Sequence, residues 1–152
     1  MSIIRAGLRA YADRGVFRAF EEMNLGRGRH AFTFLWLTRR PLELNYDAAR
    51  DVLTFKKLLP NIPSNSAMYA ELKSFLKQYH NGDLPRHRLI DEKRASVSCS
   101  NRGGHVSIAM RVKDKGYEYG LNKLINLAHD VFVHLQYSHA DYMCENFDLP
   151  QE

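Results

Sequence analysis

The stretch that most constrains the fold is residues 95–113, where apolar and polar side chains alternate on both sides of a short turn. A period of two places successive side chains on opposite faces of a β-strand. Gly103 and Gly104 separate the two alternating runs and can adopt the positive φ angles of a tight hairpin turn. The pattern therefore predicts a β-hairpin with one apolar face, which needs a covering helix, and one serine-rich face.

The polar face of this hairpin is small and flat, and a catalytic role for it is disfavoured. A serine nucleophile needs a base and a group that orients the base, and no acidic residue is placed to orient His105. We therefore expect no catalytic residue and no enzymatic activity. We interpret the face as an open sheet surface for another protein chain, carried by Ser96, Ser98, Ser100, Ser107 and Arg111.

The rest of the chain reads as further strands followed by helices. Alternation and aromatic enrichment predict strands over residues 30–38, 42–46 and 52–59. Apolar stripes spaced three and four residues apart predict helices over residues 64–80 and 117–137. Ser64, Asn65 and Ser66, at the start of the first of these helices, offer an N-cap.

Residues 3–24 also carry helical stripes, but the stripes of the two halves point in different directions. Val16, Phe20 and Met23 share one face of the second half, more than 90° from the face of the first half. Gly15 lies between the halves, and glycine disfavours a helix interior by roughly 1 kcal/mol. We expect a helix kinked at this point or two short helices.

The C-terminal residues 138–152 are predicted to form a short acidic helix. Ser138 and Asp141 fit a capping box, and an apolar stripe follows at helical spacing: Ala140, Met143, Cys144 and Phe147. The element order is then α-β-β-β-α-β-β-α with this short helix added. Strands grouped apart from helices predict a single α+β domain over residues 1–152, with two layers and a five-stranded antiparallel sheet.

This element order resembles the secretion-chaperone-like fold, known from the type III secretion chaperones, over residues 3–137. The resemblance rests on topology, without a shared sequence motif. It implies a small cytoplasmic homodimer that binds stretches of a partner protein on its sheet surface. One feature departs from the family pattern, since effector-binding members are typically acidic and this chain carries a net charge of +5.

The positive charge suggests nucleic acid as an alternative partner. Residues 1–115 hold 21 Lys and Arg against 11 Asp and Glu, whereas residues 116–152 hold one Lys against six acids. A basic body with an acidic end suggests an anionic partner or docking of the end itself. The candidate phosphate-binding residues cluster in sequence around the hairpin: Arg86, Arg88, Lys93, Arg94, Arg102 and Lys113.

No cofactor or metal is expected from the histidines and cysteines. His129, His134 and His139 are five residues apart, which turns each away from the next on a helix, and we expect an ion pair between Asp130 and His134 instead. Cys99 and Cys144 lack the short spacing of a zinc site or a disulfide framework.

Dimerisation is expected from the helix over residues 117–137. Leu127, Val131 and Val133 widen its apolar surface beyond one face, which suggests contact with a second element or a second copy. The chain has no apolar run long enough for a membrane span and no secretory signal at its N-terminus, so we expect a cytoplasmic protein. The sequence thus favours a non-enzymatic, homodimeric protein-binding module, with nucleic-acid binding as the alternative.

Overall fold

The computed structural model describes residues 2–148 as an α+β fold. The helices are α1 (Ser2–Asp13), α2 (Ala67–Asn81), α3 (Tyr117–Ser138) and α4 (Ala140–Phe147). The strands are β1 (Arg18–Gly26), β2 (Arg29–Leu35), β3 (Leu42–Asp47), β4 (Val52–Leu59), β5 (Ala95–Arg102) and β6 (His105–Val112). A 3₁₀ turn, Arg86–Arg88, lies between α2 and β5.

The strands form one antiparallel sheet in the order β1-β2-β3-β4-β6-β5. Four strands run as a meander, and α2 then carries the chain to the far edge, where β5 begins. One sheet face joins the buried side chains of the helices in a continuous core. The opposite face carries polar and charged side chains and stays exposed, as a period-two pattern on an antiparallel sheet requires.

The predicted hairpin is confirmed, with β5 and β6 in register from the Ala95–Val112 pair to the Arg102–His105 pair. On β6 the core face is fully buried, through Val106, Ile108 and Met110. The hairpin turn is held against the loop between β4 and α2, because Asn101 Nδ2 donates a hydrogen bond to the Ile62 carbonyl at 2.6 Å.

The sheet has six strands, not the predicted five, because the second half of the predicted N-terminal helix is strand β1. The chain does break at Gly15, which has a φ of 77°. The residue that this segment buries most completely is Phe17, whose ring stacks on Phe34 with centroids 4.1 Å apart. Met23, a residue of the predicted helical stripe, is 63% exposed. Bulges in β1 shift its register against β2 and interrupt the alternation that would have revealed a strand.

Helix α3 packs closely on the sheet. A Cβ atom at Gly120 would lie 2.2 Å from Val112 Cγ1, so only glycine permits this approach. Leu127 and Val131 are buried within one copy of the chain, whereas Val133 is 54% exposed. The wide apolar surface of α3 is therefore mostly covered by the chain itself. Among the described residues no helix is both long and apolar enough to cross a membrane.

Helix α2 begins at Ala67, three residues after the predicted start. Ser66, one of the predicted capping residues, caps it, with its Oγ accepting a hydrogen bond from the Tyr69 amide. Its last turn secures the edge strand β5. The His80 ring lies between the loop at Ile90 and strand β5, with Nδ1 3.1 Å from the Ile90 carbonyl and Nε2 accepting a hydrogen bond from the Val97 amide at 3.1 Å. An outward N–H of the edge strand is thereby satisfied inside the fold.

Helix α4 docks on the core as predicted, with Met143 and Phe147 buried. The predicted capping box is wrong, because α4 begins at Ala140 and the cap residue His139 makes no side-chain hydrogen bond to the helix. At its end, Asp148 accepts a hydrogen bond from Arg39 at 2.9 Å. The last part of the predicted acidic tail, residues 149–152, lies outside the described residues.

Candidate binding groove on the open face of the sheet

The exposed sheet face is organised in rows of cross-strand neighbours. The first row runs through Arg29, Asp47, Val52, Arg111 and Ser96. The middle row runs through Met23, Ala31, Asn45, Thr54, Ala109 and Ser98. The third row runs through Glu21, Thr33, Glu43 and Lys56, and continues past a bulge with Ser107 and Ser100.

This face encloses a concavity of about 480 Å³, which we call the sheet groove. Residues of all three rows line it, including Asn45, Thr54 and Ser107. Six cationic side chains also line it: Arg29, Arg50, Lys56, Lys57, Arg102 and Arg111. Within residues 2–148 none of the six forms an ion pair. Asp47 is the acidic residue of the lining, so the groove has a strong excess of positive charge.

The cations lie on opposite sides of the middle row. Arg29 and Arg111 belong to the first row, and three strand spacings of about 4.8 Å separate β2 from β6, or about 14 Å. Lys56 lies four residues along β4 from Val52, or about 13 Å away in an extended strand. A ligand lying along the middle row would therefore have positive charge on both sides.

The two adjacent lysines reach the same groove because β4 bulges. In a regular strand Lys56 and Lys57 would point to opposite faces. Lys57 instead has a φ of 51°, and its amide donates to Ser107 Oγ at 2.9 Å. The register between β4 and β6 slips at this place, between Phe55 and Leu59. The bulge thus keeps both lysines exposed and out of the core.

Asp51 anchors the turn that carries Arg50 at the end of the groove. The Tyr117 hydroxyl and Lys115 Nζ both donate to Asp51 Oδ1, the lysine at 3.0 Å. These donors hold the pKa of Asp51 below its ordinary value, with Tyr117 as the larger cause. Burial, with Asp51 as the next cause, raises the pKa of the Tyr117 hydroxyl. The turn is thus held to α3 through an ionised carboxylate.

Three residues of the groove lining, His30, Asn45 and His105, each have a buried polar atom without a hydrogen-bond partner in the described part of the chain. The atoms are His30 Nδ1, Asn45 Oδ1 and His105 Nδ1, and all three are shielded from water. Buried polar atoms are normally paired, so these atoms are exceptions to the usual pattern. The neighbours of Asn45 in the middle row are Ala31, Thr54 and Ala109, which have small side chains.

The residues predicted to bind a partner all belong to the open face. Ser100, Ser107 and Arg111 line the sheet groove, and Ser96 and Ser98 extend the same face along the edge strand β5. The Ser107 hydroxyl is already used, because it accepts the Lys57 amide of the bulge. Its role is therefore partly structural.

The predicted phosphate-binding residues do not gather around the groove. Arg102 lines it, but Arg88 pairs with Asp130 at 3.0 Å, and Arg94 stacks over the Tyr119 ring at 3.7 Å. The Lys113 ammonium donates to the Glu92 carbonyl at 2.7 Å, and the remaining two, Arg86 and Lys93, lie exposed outside the groove lining. Five of the six predicted residues therefore lie outside the groove.

The basic residues that sequence reasoning missed are Arg29, Arg50, Lys56 and Lys57. They come from the start of β2, the β3–β4 turn and the middle of β4, so no single stretch of the sequence contains all four. The alternation along β4 does indicate Lys56. It is out of phase with the core residues Leu53 and Phe55, so its side chain falls on the open face of the sheet. Lys57 follows the core phase of the strand, and its exposure depends on the bulge.

The histidine predictions need correction. Asp130 does not pair with His134; it accepts hydrogen bonds from Tyr79 at 2.8 Å and Arg88 at 3.0 Å.

His134 and His139 converge, because α3 ends at Ser138 and helical spacing no longer applies beyond it. Their Nε2 atoms lie 3.5 and 2.5 Å from the same Glu71 oxygen, and His139 is the main cause that lowers the Glu71 pKa. No His, Cys, Asp and Glu side chains of residues 2–148 group in a way that could hold a metal ion.

Comparisons with known protein families, with curated proteins and with solved structures found no match. Function must therefore be argued from the groove itself.

Proposed function

We propose that this protein is a non-enzymatic binding module that takes an acidic segment of another protein into the sheet groove. The observation that carries the proposal is the set of six cations around one concave face, none of which has an ion-pair partner among the described residues. Such a concentration of like charge has an electrostatic cost unless an anionic partner offsets it. The volume of the groove falls within the usual range of ligand sites, about 300–1,000 Å³.

The same groove is less suited to nucleic acid. Single strands are usually held by stacking of bases on exposed aromatic rings. Tyr46 lines the groove but is only 3% exposed, and the other side chains of the lining contain no aromatic ring except those of His30 and His105. A floor of small polar side chains accommodates an extended protein chain better than stacked bases.

The predicted resemblance to secretion chaperones rested on an element order without β1, so we take from it only the proposal that the sheet surface binds a partner segment. Those proteins bind partner segments on their sheets, and a basic face in place of an acidic one calls for a partner of opposite charge. A homodimer stays a prediction. Its remaining support is the exposure of Val133 and Tyr137 on α3, and sedimentation velocity showing a monomer at micromolar concentration would contradict it.

The test is the binding of a fluorescein-labelled octaglutamate peptide, followed by anisotropy. The double variant Arg29→Glu, Arg111→Glu should weaken binding by at least about tenfold, or about 1.4 kcal/mol. The matched control is Arg86→Glu, Lys93→Glu, which reverses two exposed charges of the alternative site and should change the affinity less than about twofold. Binding should also weaken as salt rises, because the charges are exposed.

An oligothymidine of similar charge and an octalysine peptide complete the experiment. Tighter binding of the oligonucleotide than of octaglutamate at physiological salt would favour the nucleic-acid alternative. A loss of affinity in the control variant equal to that of the groove variant would show that the groove is not the site.

A further inference from the structure

Strand β1 reverses the polarity that is usual for a strand with one open side. Glu22 lies on the side of the helices, where its carboxylate accepts two hydrogen bonds from Arg5 of α1. Met23 pairs with Ala31 on the open side of the sheet and is 63% exposed. Leu25 lines the sheet groove and is 41% exposed. Two large apolar side chains, Met23 and Leu25, which we call the apolar patch, thus face solvent on the open face.

An exposed apolar pair at this place carries a cost. Within residues 2–148, β1 has a neighbouring strand on one side alone, so it is an edge strand. Exposed apolar side chains on such an edge favour aggregation, and natural sheets usually place charged residues there instead. Other large apolar side chains that are exposed in the described part of the chain lie outside the strands: Ile3, Val16, Leu37, Val133 and Tyr137. The apolar patch is therefore a feature of the open face that calls for a partner.

The apolar patch is continuous with the cations of the groove. Gly26 pairs with Arg29, so Leu25 lies one residue and one strand away from Arg29, or about 6 Å between Cα atoms. Residues i and i+2 of an extended ligand are about 7 Å apart and point to the same side. An apolar side chain of the ligand can therefore contact Leu25 while a carboxylate two residues away reaches Arg29. Since the groove lining runs from β1 to β5, the patch lies at the β1 edge of the groove.

We propose that the apolar patch selects acidic segments that carry a large apolar side chain at one end, and that this side chain packs on Met23 and Leu25. The carboxylates of the segment then lie among the six cations. Charge alone accepts any acidic stretch, whereas the apolar contact discriminates among them through the area that it removes from water. This inference rests on the proposed function and specifies its partner as an acidic segment with an aliphatic or aromatic residue beside the acids.

The test is competition of unlabelled peptides against fluorescein-labelled octaglutamate. Octaglutamate with two leucines added at the N-terminus, and octaglutamate with two leucines added at the C-terminus, are each compared with a matched peptide that carries two serines instead. We expect at least one leucine peptide to bind about five- to tenfold more tightly than its serine counterpart. This gain should persist as salt rises, because burial of apolar surface is not screened, whereas the affinity of both peptides should fall.

The double variant Met23→Gln, Leu25→Gln should lose the gain and keep its affinity for octaglutamate within about twofold, because no charge is changed. The matched control is Ile3→Gln, Val133→Gln, which replaces two exposed apolar side chains of the helices and should keep the gain. The melting temperatures of both variants should stay within about 2 °C of that of the natural chain, because all four positions are exposed.

Equal binding of the leucine and serine peptides to the natural chain would overturn the apolar contact and leave the acidic-segment function standing. A gain that survives in Met23→Gln, Leu25→Gln would also overturn it, because the leucines would then contact another surface. Conversion of a dimer to a monomer in this variant, measured by sedimentation velocity, would assign the apolar patch to a second copy of the chain and overturn the inference. Binding of none of the peptides would overturn the proposed function and the apolar contact with it.

Discussion

At the scale of single residues, the shape of the sheet groove depends on the bulge in β4. Lys57 has a left-handed backbone with a φ of 51°, and its amide is satisfied by the Ser107 hydroxyl. Ser98 lies on the same face of the neighbouring strand and has no such task. Two serines with the same appearance in the sequence should therefore respond differently when the hydroxyl is removed.

Ser107→Ala should lower the free energy of unfolding by about 1–2 kcal/mol, because the Lys57 amide loses its acceptor. It should also weaken octaglutamate binding several-fold, since Lys56 and Lys57 lose their fixed positions. Ser98→Ala should change the stability by less than about 0.5 kcal/mol. Urea denaturation and anisotropy measure the two effects, and equal losses in both variants would argue against this role of the bulge.

The ion pair between Arg5 and Glu22 joins α1 to β1. The guanidinium donates two hydrogen bonds to the carboxylate, at 2.7 and 2.6 Å. These bonds hold the pKa of Glu22 below its ordinary value of 4.5, against the opposing effect of burial. The carboxylate therefore stabilises the fold above about pH 4.5, and this contribution is lost as the pH falls through the lower folded-state pKa.

Glu22→Gln should lower the free energy of unfolding by about 1 kcal/mol at neutral pH. The difference from the natural chain should shrink in acid, below the folded-state pKa, where the carboxylate is protonated. Glu21→Gln is the matched control, because Glu21 is exposed and has no ion-pair partner among the described residues. Denaturation at the two pH values tests the assignment, and a pH-independent difference would contradict it.

At the scale of elements, α3 and the sheet are held together by close approach. Gly120 lies inside a long helix, where alanine usually stabilises by about 1 kcal/mol. Here the added methyl group would meet Val112 Cγ1 at 2.2 Å, with Met110 Cγ at 3.7 Å. The steric term opposes the helix propensity and exceeds it, because the neighbours belong to a packed core.

Gly120→Ala should therefore lower the free energy of unfolding by about 1–3 kcal/mol, the usual cost of overpacking. Ser74→Ala, at an exposed position of α2, should change it by less than about 0.5 kcal/mol. Thermal and urea denaturation provide the comparison. A higher melting temperature for Gly120→Ala would mean that α3 is not pressed against β6 in this way.

The docking of α4 rests on its two buried side chains. Phe147 packs edge-on against Phe132 of α3, with ring centroids 5.3 Å apart and an interplanar angle of 89°. Phe147→Ala should cost about 3–5 kcal/mol, which corresponds to a fall of about 10 °C in the melting temperature of a chain of this size. Tyr137→Ala, at a ring that is 92% exposed, should leave it unchanged. Equal melting temperatures for the two variants would mean that α4 does not dock.

Elements with unbroken periodicity were predictable from the sequence. The β5–β6 hairpin alternates without interruption, and its strands lie where the alternation places them. Strand β1 was missed because its register shifts twice against β2, so its apolar residues fall at helical spacing. Local periodicity could not reveal this, since only pairing with β2 gives the bulged segment its structure.

At the scale of the whole molecule, the groove is a product of topology. Its six cations come from the start of β2, the β3–β4 turn, the bulge of β4 and the two strands of the second hairpin. The sequence predicted the open face and two of these residues, Arg102 and Arg111. It did not join them to the other four, on β2, the β3–β4 turn and β4, because that requires the strand order that places β6 beside β4.

The most direct test of the acidic-segment function is a titration of the ¹⁵N-labelled protein with octaglutamate, followed by amide chemical shifts. We expect saturable shifts concentrated on the strands around the groove, including Arg29, Asn45, Thr54 and Arg111, with little change at Val133 on α3. Shifts concentrated instead on the helices or on residues 86–94, with the groove strands unaffected, would contradict the account.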